Sequence, residues 1–162
     1  MSFEEAPDAR APEAKARLRL WLRLLKVGRH IEGRLRENLR TEFDTTLPRF
    51  DVLAGLYRHP DGLKMSELSK LLIVSNGNVT GIIDRLVNEG LVLRVAVPGD
   101  RRASLVRLTE KGEHAFLQQA SAHGRWIEEL LDGVPEDEAL MISRGLGRLG
   151  KKLESERSNH GG

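Results

Sequence analysis

The sequence contains no cysteine. Disulfides, thiolate metal ligands, a cysteine nucleophile and a thiol-based redox sensor are all excluded. Aromatic residues make up only 4% of the 162 positions, too few for a rich stacking surface. No apolar run approaches about 18 residues, so no transmembrane helix is expected. The segment from Met1 to Ala11 is acidic and contains proline, and it lacks the apolar stretch of a signal peptide. The expected location is the cytoplasm. No GxSxG, HExxH, P-loop or dinucleotide fingerprint occurs, and the acids are scattered along helix faces, so an enzyme is not expected. His30, His59, His114, His123 and His160 show no ligand spacing, so neither a metal nor another cofactor is expected.

What is present is charge, unevenly placed. The chain has 26 Lys and Arg against 24 Asp and Glu, a net charge of +2. Residues 10–40 alone carry ten basic and three acidic groups. Residues 58–108 carry eight against five, and residues 109–162 carry seven against ten. A chain polarised in this way presents a local basic surface without a strongly basic total. Hydrophobic residues are 40% of the sequence, ordinary for a folded domain of this length.

Hydrophobic spacing divides the chain into elements. Residues 1–12 read as a flexible N-terminal arm. Residues 13–46 form a long helix whose face carries Leu24, Val27, Ile31, Leu35 and Leu39, extended by Leu20 and Trp21. Pro48 fits the first turn of a second helix, which buries Phe50, Leu53, Ala54 and Leu56 or Tyr57. His59-Pro60-Asp61-Gly62 signals a turn. A short helix from Met65 to Leu72 buries Leu68, Leu71 and Leu72. Ser75 then caps another, with Val79, Ile82, Ile83, Leu86 and Val87 inward and Gly90 at its end. Leu91–Val97 and Ser104–Leu108 read as two strands joined at Pro98-Gly99-Asp100. Thr109 caps a helix running to about Leu131, and Pro135 opens a last one. There Ala139, Ile142, Leu146, Leu149 and Leu153 repeat as a heptad-like seam. Residues 156–162 read as a flexible tail.

The fold class is therefore mainly α with a small β-hairpin wing. It is a winged helix-turn-helix over residues 47–112, flanked by long helices at 13–46 and 113–155. The second short helix of such a unit fits the DNA major groove. With Val79 as the buried reference, Gly77, Gly81, Asp84 and Asn88 point outward and Asn78, Thr80 and Arg85 lie on the flanks. Asn78 suits adenine, and Arg85 a phosphate or a guanine edge. Gly77 and Gly81 each cost about 1 kcal/mol against alanine in a helix. Both sit where core packing makes no demand, which points to close backbone approach to DNA. At the hairpin tip Asp100, Arg101 and Arg102 place two guanidiniums on an exposed turn, suited to a narrow minor groove. Asp100 is expected to hold one arginine in a fixed pose.

The segment Leu63–Gly112 resembles the MarR family of bacterial transcriptional regulators. The matching pieces are Met65-Ser66-Glu67-Leu68, Val79-Thr80, Asp84-Arg85-Leu86, Glu89-Gly90-Leu91-Val92, Asp100-Arg101-Arg102 and Leu108-Thr109-Glu110-Lys111-Gly112. With the flanking helices the resemblance covers about residues 13–155. It implies a homodimer whose first and last helices interlock and whose two winged domains read a pseudo-palindrome in double-stranded DNA. It implies recognition-helix contacts at Ser75, Asn76, Asn78 and Thr80, and a wing-tip minor-groove contact at Arg102, with Arg101 and the orienting Asp100 beside it. Gly81 departs from the basic or larger polar residue of many relatives.

The resemblance further implies a small-molecule effector, commonly an aromatic or phenolic anion held between the dimer helices and the DNA-binding lobe. The runs Leu47-Pro48-Arg49-Phe50-Asp51 and Ser75–Gly81 are similar to regulators of aromatic-acid breakdown, some responsive to hydroxycinnamate-type acids or their acyl-CoA thioesters. Arg19, Arg23 and Lys26 share a basic stripe suited to CoA phosphates or a carboxylate. Trp21, Phe50 and Trp126 are the candidate lining of the apolar part, and His30 is a further candidate effector contact. The expected activity is that of a ligand-released repressor. The alternative is a winged-helix module serving protein contacts alone.

Overall fold

The computed structural model describes residues 12–72 and 76–159. Residues 1–11 of the expected N-terminal arm, the expected helix cap Ser75 and the last three residues lie outside the described residues, and Pro12 begins the first helix. The elements run α1 (Pro12–Phe43), α2 (Leu47–Tyr57), β1 (Leu63–Lys64), α3 (Met65–Leu72), α4 (Asn76–Asn88), β2 (Val92–Val97), β3 (Asp100–Leu108), α5 (Glu110–Leu130) and α6 (Glu136–Asn159). The chain forms two compact units, divided between Gly124 and Arg125.

The first unit contains the winged helix-turn-helix. Its core is Leu39 from α1, Val52, Leu53 and Leu56 from α2, Leu68 from α3, Val79, Ile83 and Leu86 from α4, and Val106 from β3, all at most 1% exposed. The α4 residues are those that helical spacing turns inward. The wing is a three-stranded antiparallel sheet in the order β1-β3-β2. The short β1 is not predicted by the sequence pattern. It pairs Leu63 with Val106 and Lys64 with Leu105, which ties the start of α3 to the wing. The Glu67 carboxylate accepts the Lys64 amide at 2.7 Å, so the strand and the first turn of α3 share one hydrogen bond.

Four expectations need correction. The long first helix ends at Phe43 and not at residue 46, because Asp44 takes a positive φ of 49° and Thr46 becomes the N-cap of α2, its hydroxyl accepting the Arg49 amide. Leu71 is 44% exposed. It lies over the edge of α2, where its Cδ2 is 2.8 Å from the place a Cβ on Gly55 would occupy. The returning wing strand begins at Asp100 and not at Ser104, with a register irregularity at Ala96 and Val97. The last helix continues through Asn159, where the sequence pattern predicts a frayed tail from residue 156. The Ser155 and Ser158 hydroxyls donate back to the carbonyls of Lys152 and Glu154, and Lys152 faces Glu156 one turn on at 3.9 Å.

The corner where α4 ends is closely bound. Gly90 has φ 72°, its amide bonds the Val87 carbonyl, and the Leu91 amide bonds the Leu86 carbonyl. These two bonds are a Schellman termination, for which a left-handed glycine is best suited. The start of α5 then covers the same corner. The Thr109 hydroxyl donates to the Gly90 carbonyl at 2.7 Å and accepts the Gly112 amide at 3.0 Å. The Lys111 ammonium donates to the Glu89 carbonyl at 2.8 Å. The Thr109 amide bonds the Leu91 carbonyl at 3.1 Å. A Cβ on Gly112 would lie 1.8 Å from that same Leu91 oxygen. The Thr-Glu-Lys-Gly run is thus a structural clamp on the end of α4. Gly112→Ala is expected to destabilise the first unit by about 3 kcal/mol, the upper range for forcing atoms into a packed site. A thermal melt checks it; an unchanged midpoint would mean that the backbone at Leu91 yields freely.

Candidate nucleic-acid interface

Helix α4 presents two opposite faces. Val79, Ile83 and Leu86 are buried, whereas Thr80, Gly81, Asp84, Arg85 and Asn88 lie on the side turned away from that core. Nothing lies within 4 Å of the position a Cβ on Gly81 would take. The protein's own packing therefore does not require glycine there. The backbone of Asn76, Gly77 and Asn78 forms the first turn of α4. Ser75 lies outside the described residues.

Charge pairs fix the helix at both sides. The Arg94 guanidinium of β2 meets the Asp84 carboxylate at 2.5 Å, which joins the wing to the outward face of α4. At the C-terminal end Glu89 accepts from Arg49 of α2, whose side chain is only 11% exposed, while the Arg85 Nε stands 3.8 Å from the other Glu89 oxygen. Arg85 remains 74% exposed. The weaker of the two pairings therefore holds the outward arginine, which stays accessible to a partner.

The wing tip differs in one detail from the sequence expectation. Asp100, Arg101 and Arg102 are all exposed. Asp100 accepts the backbone amide of Arg102 at 3.0 Å, and not a guanidinium. A short acidic side chain reaches the amide two residues on more readily than a distant side-chain head. Asp100 thus shapes the turn, and the Arg102 side chain stays exposed.

Sequence reasoning missed a second basic group beside α4. A cavity of about 700 Å³ is lined by Arg36 and Arg40 of α1, Thr45, Thr46, Leu47, Pro48 and Arg49 at the α1–α2 corner, and Asn78, Gly81, Ile82 and Arg85 of α4. Arg40 is held by Glu37 at 2.7 Å and Arg36 by Glu32, each within about one turn of α1. The hydrogen bond from Arg40, and then its charge, keep the Glu37 carboxyl below its ordinary range and raise the arginine in turn. The available signal was the strong excess of arginine in residues 10–40, whose functional weight the pattern alone assigns to the other end of the helix.

The candidate effector residues are dispersed. Arg19, Arg23, Lys26 and His30 lie on α1, where Trp21 is 56% exposed. Phe50 is 7% exposed, its ring stacked on His123 at 5.0 Å and tilted against Phe116 at 5.8 Å. Trp126 is 3% exposed. None of the seven lines the arginine-rich cavity. Phe50 and Trp126 are packing residues here, because a large apolar ring gains most from complete burial.

Comparisons with known proteins agree with this arrangement. Residues 45–104 match the model of the MarR family. The multiple antibiotic resistance protein MarR of Salmonella typhimurium is 34% identical over 121 residues, covering 74% of this chain and 83% of that protein. The HTH-type transcriptional regulator MhqR of Bacillus subtilis is 26% identical over 133 residues, 82% of this chain and 90% of the relative. Among solved structures, a MarR family transcriptional regulator from Silicibacter pomeroyi superposes with TM-score 0.76 at 33% identity, covering 89% of this chain and 99% of that one. A mutant MarR from E. coli, solved in complex with operator DNA, gives TM-score 0.71 at 30% identity, with 80% and 92% covered. The winged helix-turn-helix, its outward polar helix and these relatives together show that the chain belongs to the MarR family of transcriptional regulators.

Proposed function

We propose that this protein is a dimeric, ligand-responsive repressor and not an enzyme. It binds a pseudo-palindromic operator, each copy placing α4 in the major groove and Arg102, with Arg101, in the adjoining minor groove. The observation that carries the reading is the outward face of α4. It is polar, with Asn78 and Arg85 on one flank and Thr80 on the other, and is open at Gly81. The relative bound to operator DNA supports it. A homodimer is supported by the apolar side chains each helix leaves in water: Leu20, Trp21 and Val27 on α1, and Leu140, Ile142, Leu146, Leu149 and Leu153 on α6. Stretches of this kind mark interaction surfaces.

The effector in this reading is a small aromatic acid or its CoA thioester. The exposed stripe Arg19, Arg23 and Lys26 offers cations for its anionic groups. Release follows if the ligand favours a lobe spacing that no longer fits half-sites about one helical turn apart.

Three outcomes test this reading. A gel shift on the DNA upstream of the protein's own gene is expected to show binding at low salt, and Arg102→Ala is expected to weaken it at least tenfold without dissociating the dimer. Absence of any shift by the wild type removes the DNA-binding reading. Gly81→Ala is expected to raise thermal stability by up to about 1 kcal/mol, the helix-propensity difference, while weakening operator binding. If binding is retained as stability rises, the glycine is not there for DNA approach. Charge reversal at Arg19 and Arg23 to Glu is expected to abolish release by the aromatic acid or thioester that raises the wild-type melting temperature most. Unaltered release would make the stripe a solvated helix face.

A further inference from the structure

The arginines of the α1–α2 corner are separate from the DNA contacts of α4 and the wing, yet they border the same helix face. Arg36 and Arg40 stand about one helical turn apart at the end of α1, and Arg49 lies in the first turn of α2. Across the cavity lie Gly81 and Arg85 of α4. Four guanidiniums thus surround one open space, and guanidinium is the side chain best matched to phosphate oxygens.

The four are not equivalent. Arg49 is 11% exposed and committed to Glu89, so it anchors the corner to α4 and is not available to a ligand. Arg36 and Arg40 are 61% and 68% exposed, each paired with a carboxylate on its own helix that is itself about half exposed or more. Exposed pairs of this type are weak and screened by salt. Exchanging such a partner for a phosphate, with release of condensed counterions, favours the phosphate.

The identity of the occupant follows from what else lines the cavity. Gly81 and Arg85 belong to the exposed side of α4. A helix lying in a major groove about 12 Å wide has a sugar–phosphate strand along each flank. When α4 enters the groove, a strand edge comes alongside this cavity. We propose that the α1–α2 corner is a third DNA contact, directed at the backbone, in which Arg36 and Arg40 bind neighbouring phosphates beside the groove that α4 occupies. This inference rests on the DNA-binding reading. Its contribution is sequence-independent: it sets affinity and register while α4 and the wing read the site.

Salt titration of binding by the full-length protein tests it, using fluorescently labelled operator DNA and an unrelated duplex of equal length. The slope of log affinity against log salt falls by about 0.9 for each phosphate that the protein no longer neutralises. Arg36→Gln/Arg40→Gln is expected to reduce the slope by about 1.8 on both duplexes and to weaken both at least tenfold, preserving the ratio between them. Each single variant is expected to show about half of that reduction, which keeps the test sound if the double variant folds poorly. A wild-type slope in the variants, with Arg102→Ala still impaired, overturns the corner contact and leaves the DNA-binding reading standing. Wild-type protein that binds neither duplex overturns both. A variant with the wild-type slope that has lost a benzoate-induced rise in melting temperature makes the corner a seat for small anions, which also overturns the proposal.

Discussion

The position of the outward helix depends on one close approach, that of Gly112 to the Leu91 carbonyl. The space there is too small for a methyl group, since a Cβ would come within 1.8 Å of the oxygen. Around that contact, Thr109 and Lys111 take up the carbonyls of Gly90 and Glu89. The exposed carbonyls at a helix end are ordinarily left to water. Here they are bound by the first turn of α5. The C-terminal end of α4 is thus fixed by a covalently distant element, while its outward side stays open at Gly81. Rigidity at one end and openness along one side are what a helix needs if it is to present side chains to a groove without rearranging.

Charge is arranged on the same plan. Arg94 with Asp84 and Arg49 with Glu89 join α4 to the wing and to α2. The Arg49 pair is the less exposed of the two, and a pair taken out of water tolerates the loss of a partner poorly. It therefore serves as a fixed strut. Arg36, Arg40 and Arg85 pair with carboxylates close by in the chain and stay largely exposed. The unit separates cations that join one element to another from cations that pair close by in the chain and stay in water.

Much of this is legible in the sequence. Periodicity locates the helices, and the inward set of α4 is the one that 3.6-residue spacing gives. Pro48, Thr109 and Gly90 mark helix ends for reasons of backbone geometry alone. What escapes are features that need a partner distant in sequence. Strand β1 is two residues long and exists only because Val106 and Leu105 lie opposite it. The function of Gly112 is invisible until Leu91 is placed against it. The basic excess of α1 is evident, but periodicity cannot tell which of its turns faces α4. The acidic character of Asp100 marks it as an orienting group, and the turn itself decides that it orients the backbone of Arg102.

The apolar stripe on α6 has a consequence for the amount of protein. Ile142, Leu146, Leu149 and Leu153 are between 39% and 51% exposed in a single chain. If a second copy covers them, folding of that helix is linked to association by mass action. Dilution then unmasks the stripe and lowers stability, whereas accumulation hides it. In that case the amount of protein sets how much of the helix is covered and how stable each chain is.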